Sequence, residues 1–216
     1  MNELHWNTIT PVMRSVWEGF TKSRIADEFY LAGGTALALQ LGHRLSIDLD
    51  FFSPTQNDVP ALSGALQDAL KDSSPKLADS SWGNLVFLAG DVRVGFYGYG
   101  YKLVKPLLKI EGFSLASVQD IALMKMDALL ARASRKDFHD LYAICQRMEL
   151  RELLNLAPEK YPDARDFEAQ VVKHMTYFDR AEQETSVPLI EQVEWKTVKA
   201  WFRKQAKDLA EGWLKG

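Results

Sequence analysis

Gly33-Gly34-Thr35-Ala36-Leu37, followed closely by His43-Arg44-Leu45-Ser46-Ile47-Asp48-Leu49-Asp50-Phe51-Phe52, is the stretch on which the fold turns. Phe29 to Ala32 reads as a short buried strand before it, and Thr35 is placed to cap an alanine- and leucine-rich helix running to about Leu41. Ile47 to Phe52 gathers aliphatic and aromatic residues as a strand does. The unit is strand, glycine turn, helix, loop, strand. Side chains alternate along a strand, so Asp48 and Asp50 share one face, with Ile47, Leu49 and Phe51 expected in the core.

Two carboxylates so close repel each other unless a cation shares them, and Mg²⁺, which favours carboxylate and phosphate oxygens, is the natural occupant. An isolated Asp-x-Asp is more often a solvated strand face. This pair has company: a glycine turn that opens a helix offers free N–H groups and a positive dipole end to a phosphate. Gly33, Gly34 and Thr35 are therefore candidate nucleotide contacts, as are Arg44 and Ser46 in the loop between helix and strand. Arg44 either clamps a phosphate or fixes the loop by pairing with an aspartate, and the residues leave both open.

Working outward, Val12, Trp17, Phe20 and Ile25 recur at near-helical spacing, predicting an opening helix that ends around Asp27. A helix is predicted between Val59 and Lys71, then strands over Lys76 to Asp79, Leu85 to Leu88, Val92 to Tyr99 and Leu107 to Glu111. From Val118 onward the pattern is helical. The chain reads as α+β: a mixed sheet flanked by helices over residues 1–115, then a helical part over 116–216.

The bulk numbers set bounds. With 216 residues, 47% hydrophobic and 25% charged, the chain is an ordinary globular protein. A formal net charge of −3 excludes a surface that is basic all over, while leaving room for a local basic patch. The single cysteine, Cys145, cannot form an internal disulfide and reads as a buried thiol in a reducing compartment. Residues 1–10 lack the pattern of a signal peptide, and no stretch approaches the ~20 apolar residues of a membrane span, so a cytoplasmic protein without a membrane partner is expected. Four scattered histidines, His43 among them, show no zinc-ligand spacing.

The quoted segments continue in order with Lys109-Ile110-Glu111, Asp120-Ile121-Ala122-Leu123-Met124-Lys125, Arg132 and Lys136-Asp137-Phe138-His139-Asp140-Leu141. Over about residues 29 to 145 this resembles the abortive-infection nucleotidyltransferase toxins of the AbiEii type. The resemblance implies a polymerase-β-like nucleotidyltransferase core and transfer of a nucleoside monophosphate from a nucleoside triphosphate to a hydroxyl. The implied acceptor is a tRNA end, a protein side chain or a small molecule, and the implied setting is a toxin encoded beside a cognate antitoxin. It further implies a two-ion Mg²⁺ site in which Glu111 joins Asp48 and Asp50, with Lys125 on the phosphates and Asp137 in the active site. Asp140 is then a partner for Arg132 or Arg135. Each has a plain alternative: Glu111 a surface acid at a strand end, Lys125 a solvated helix lysine, Asp137 a dipole partner at a helix start.

Two other functions use the same residues. One is a catalytically inactive binding module, against which the intact Asp-x-Asp argues; the other is a metal-dependent phosphodiesterase with water as nucleophile. Over Glu194 to Trp213, helical spacing gathers Lys196, Lys199, Arg203 and Lys207 on one side. That stripe is either a solvated face or a track for an RNA backbone.

Overall fold

The computed structural model describes residues 3–215; Met1 and Asn2, which begin the segment read for a leader, and Gly216 lie outside the described residues. The chain divides into two compact units, Met1–Ser117 and Val118–Gly216.

The first unit opens with helix α1 (Pro11–Thr21). Thr10 caps it, its hydroxyl accepting from the Met13 N–H at 3.1 Å, and Pro11 enters the first turn, where no intrahelical donor is lost. Met13, Val16, Trp17 and Phe20 form its buried stripe. The chain then runs through β1 (Tyr30–Leu31), α2 (Gly33–Leu41), β2 (Asp48–Ser53), α3 (Ser63–Ala69), β3 (Pro75–Ser81), β4 (Asn84–Ala89), β5 (Val92–Gly98), β6 (Leu108–Ile110) and β7 (Phe113–Leu115).

The strands make one mixed sheet in the order β3-β4-β5-β2-β1-β7-β6, with β2 parallel to β5 and β1 parallel to β7. Alternation along β2 sends Leu49 and Phe51 into the core and leaves Asp48, Asp50 and Phe52 partly exposed on the other face. The core face is aromatic: Phe20 of α1 lies 4.5 Å from Phe51 and 5.2 Å from Phe96, ring centre to ring centre. That packing anchors α1 on one side of β2 and fixes which face carries the aspartates.

Three expectations are corrected here. Ile47 precedes β2 and is 69% exposed, so the inward alternation starts at Leu49. Thr35 is not the helix cap; that position falls to Ala32, which offers no side-chain oxygen, while Thr35 is buried inside the first turn. Glu111 is not a strand residue: it begins the two-residue turn between β6 and β7, with φ of 52° at Glu111 and 83° at Gly112. Positive φ at both positions suits the right-handed twist of a tight hairpin, and that geometry ends β6 at Ile110.

The second unit contains α4 (Val118–Ala131), α5 (Arg135–Cys145), α6 (Leu150–Leu154), α7 (Ala157–Lys160), α8 (Phe167–His174), α9 (Asp179–Gln183) and α10 (Trp195–Lys215). Phe138 centres its core, with rings of Phe178 at 5.0 Å and Phe202 at 5.1 Å. A buried ion pair, Lys160 to Asp120 at 2.9 Å, ties α7 to α4. Burial pulls the Lys160 pKa down against the carboxylate's support. No described helix is long and apolar enough to cross a membrane.

Candidate active site

Asp48 and Asp50 stand on one face of β2, both partly exposed, and the start of α2 is fastened beside them. The Thr35 hydroxyl bonds to the Ser46 hydroxyl at 2.7 Å and donates to the Asp48 carbonyl, while the Ser46 N–H donates to the Thr8 carbonyl at 2.8 Å. Thr35 and Ser46, expected as nucleotide contacts, are thus brought to the site, with their hydroxyls spent on holding α2 to the loop and strand. Arg44 is buried and donates to the Leu45 carbonyl at 2.9 Å.

Gly33 has φ of 64°, and a Cβ there would stand 3.3 Å from Asp50 Oδ2. Its missing side chain lets the helix start approach the carboxylate, and Ala32 at the cap position offers that start no side-chain acceptor. The first N–H groups of a helix lack intrahelical partners, so the opening of α2 presents donors and a positive dipole end next to two carboxylates. A phosphate reached by both a carboxylate-bound cation and these donors fits the chemistry of the place.

The neighbouring strand β5 contributes residues that reading the motifs alone did not find. Register puts Arg93 across from Asp48 and Gly95 across from Asp50. Arg93 Nη1 lies 3.3 Å from Asp50 Oδ1 and its Nη2 donates to the Tyr97 hydroxyl at 2.9 Å. A Cβ on Gly95 would fall 2.3 Å from the Tyr97 hydroxyl oxygen, so the Tyr97 ring folds back over the glycine toward Asp50. Burial, then the nearby Asp50 charge, pushes the Tyr97 phenol up to about 12. For Arg93 burial pulls down, but Tyr97, Asp50 and Asp48 outweigh it and raise its pKa. The signal was present as alternation, Arg93, Gly95 and Tyr97 at every second position, with a lone glycine that marks close approach. What was missing was the pairing of β5 with β2.

Glu111 is not brought to the pair. Leu31 is level with Phe51 and with Leu115, and Phe113 pairs with Ile110, so the Glu111 turn lies off the Ser53 end of β2, whereas Asp48 begins that strand. Strand spacing and rise put the two roughly 20 Å apart. Among the described residues no group of three His, Cys, Asp or Glu is placed to hold a metal ion. Two carboxylates at alternate positions of one strand, open to solvent, still fit Mg²⁺, which commonly takes one or two carboxylates and completes its shell with water and phosphate oxygens.

A model of the family described as "Nucleotidyl transferase AbiEii toxin, Type IV TA system" matches residues 15–80, the segment holding the Gly33 turn and both aspartates. An uncharacterized Aquifex aeolicus protein is 34% identical over 204 residues, covering 92% of this chain and 96% of that protein. The chain belongs to the AbiEii nucleotidyltransferase family. Solved structures share the fold: MenT4, a nucleotidyltransferase toxin from Mycobacterium tuberculosis, is similar at a TM-score of 0.58 with 15% identity, covering 90% of this chain and 82% of that one. The antibiotic-resistance factor ANT(2'')-Ia is similar at a TM-score of 0.55 with 14% identity, covering 76% of this chain and 97% of that one.

The remaining expected residues of this AbiEii-family nucleotidyltransferase lie together in the second unit. Lys125 Nζ is 3.0 Å from Asp137 Oδ1 and 2.6 Å from Asp140 Oδ2. Arg132 grips Asp137 with two nitrogens at 2.9 Å each, and the Ser134 hydroxyl donates to it at 2.6 Å. Burial alone would raise the Asp137 pKa, but Lys125, Arg132 and Ser134 prevail and lower it to about 2. The Cys145 thiol is pushed up to about 12, by burial first and by Glu149 second, which makes it a poor nucleophile. The expected basic stripe of α10 is partly paired: Lys199 with Glu182 of α9 and Lys207 with Glu211 of α10 itself, while Arg203 sits over the Phe178 ring.

Proposed function

We propose that this nucleotidyltransferase moves a nucleoside monophosphate from a nucleoside triphosphate to a hydroxyl on an RNA end or a protein, with Asp48 and Asp50 holding Mg²⁺, and that it serves as the toxin of a toxin–antitoxin pair. The observation that carries the chemical reading is the meeting of the two carboxylates with the glycine-led start of α2. The family description supports the toxin role and a cognate antitoxin.

In the reaction the acceptor oxygen bonds to the α-phosphorus, the bond from that phosphorus to the pyrophosphate oxygen breaks, and pyrophosphate leaves with its electron pair. The hydroxyl proton passes to solvent or to a carboxylate of the pair. When bound, the cation supplies charge neutralisation at the phosphate oxygens. The chain's own part is positional: Asp48 and Asp50 face the phosphates, the N–H groups at the start of α2 receive phosphate oxygens, and Thr35 and Ser46 keep helix and strand in register. Lys125, Asp137, Asp140 and Arg132 are proposed to lock α4 to α5, since Lys125 bridges both aspartates and Arg132 pairs with Asp137.

The test is incubation of the protein with each α-³²P-labelled nucleoside triphosphate, Mg²⁺, total RNA and cell protein, beside Asp48→Asn and Asp50→Asn variants whose folding is checked by melting. Covalent label in RNA or protein, reduced at least about a thousandfold in both variants, is expected. Undiminished labelling by the variants sinks the carboxylate assignment. Cleavage of end-labelled RNA without label transfer assigns a phosphodiesterase, and neither activity assigns a binding module.

A further inference from the structure

The position across from Asp48 on β5, where another carboxylate could have completed a richer cation site, holds Arg93 instead. Its guanidinium is engaged in two ways of different quality. Toward Tyr97 it makes a hydrogen bond of 2.9 Å to a hydroxyl whose ring is seated on Gly95 and packed 5.1 Å from Phe52. Toward Asp50 it makes a longer contact of 3.3 Å, with the Arg93 side chain 42% exposed. One end is held firmly and the other loosely.

The charge count gives this arrangement a consequence. Two carboxylates and one guanidinium sum to a single negative charge, a weak attraction for a bare divalent ion in partly solvated surroundings. A nucleoside triphosphate carrying its cation brings further negative oxygens, which attract the guanidinium as the cation attracts Asp50. Arginine suits the exchange, because its planar fork keeps one nitrogen on Tyr97 while another turns to a phosphate.

We propose that Arg93 is the resident cation of the Asp48–Asp50 pair, releasing Asp50 to the divalent ion that arrives with the nucleotide and then binding the nucleotide's phosphates. The proposal rests on the reading of the pair as a divalent-cation site and adds a residue and an order of events to it. Arg93 keeps the nucleotide-free pair from capturing loose metal, and it makes productive metal binding depend on the nucleotide. Gly95 belongs to the device, because any larger residue there would unseat Tyr97.

The test uses Mn²⁺ as the probe, its binding to nucleotide-free full-length protein followed by loss of the free-ion EPR signal. Arg93→Gln is expected to bind Mn²⁺ about tenfold more tightly than wild type, and Asp50→Asn in the same chain to abolish that gain. In the transfer assay Arg93→Gln is expected to raise the KM for nucleotide about tenfold, with Arg93→Lys recovering part of it. Arg93→Met, which keeps the side-chain stem, replaces the glutamine variant if melting shows that one to be damaged. Equal Mn²⁺ affinity in wild type and both variants, or an unchanged KM for nucleotide, overturns the proposal. Mn²⁺ binding that survives both Asp48→Asn and Asp50→Asn overturns the metal reading beneath it, whatever Arg93 does.

Discussion

At the scale of single residues, Asp50 is shaped by what two glycines leave out. Gly33 leaves the start of α2 free to approach its carboxylate, where a Cβ would stand 3.3 Å from Oδ2, and Gly95 lets the Tyr97 ring lie down beside it. A methyl group at position 95 would sit 2.5 Å or less from Tyr97 ring atoms and the hydroxyl, so Gly95→Ala is expected to expel the ring and cost about 1–3 kcal/mol of stability. Denaturant melts of Gly95→Ala, Tyr97→Ala and the double variant check this: the glycine substitution should cost much less once Tyr97 is gone, and an equal cost in both backgrounds would contradict it. The aspartate pair and the Gly33 turn were legible in the residues, because alternation in a strand and a glycine at a helix start are local rules. Arg93 and Tyr97 were not, since their place beside Asp50 depends on a strand pairing that no local rule announces.

At the scale of elements, Thr35 is the joint between α2 and β2. Thr35→Val keeps the shape and removes the bonds to Ser46 and to the Asp48 carbonyl, so a loss of about 1–2 kcal/mol and a slower transferase are expected; unchanged melting and turnover would show the joint idle. The α4–α5 clasp makes a pH-dependent prediction. The Asp137 pKa falls from 3.8 to about 2 in the folded chain, so its stabilisation is complete above about pH 4 and fades as pH drops toward 2. Linkage puts the amount at roughly 2 kcal/mol, and Asp137→Asn, which removes one of the two carboxylates that buried Lys125 bridges and the one that half-exposed Arg132 grips, is expected to cost about 2–3 kcal/mol and flatten stability over that acid range. Urea melts from pH 5 to pH 2 measure both. Element types were legible from periodicity over most of the chain. The β6–β7 hairpin was not: β7 is only three residues long, and Glu111 looks like a strand residue until its positive φ reveals a turn.

At the scale of the whole molecule, a net charge of −3 means that the proposed chemistry on phosphates depends on local features, the start of α2 and Arg93, rather than on the overall charge. The family match ends at residue 80, and β5, the source of Arg93, Gly95 and Tyr97, begins at Val92. The recognisable motif therefore holds only part of the site, and the rest is supplied by sheet order. That order also places the Glu111 turn beyond the Ser53 end of β2, away from Asp48 and Asp50. The most direct measurement counts pyrophosphate released and labelled nucleoside monophosphate incorporated in one reaction with Mg²⁺, for wild type and Asp50→Asn. The two products should appear one for one in wild type and fall together by about a thousandfold in the variant. Incorporation by Asp50→Asn at the wild-type rate, or labelled acceptor without matching pyrophosphate, would contradict the account.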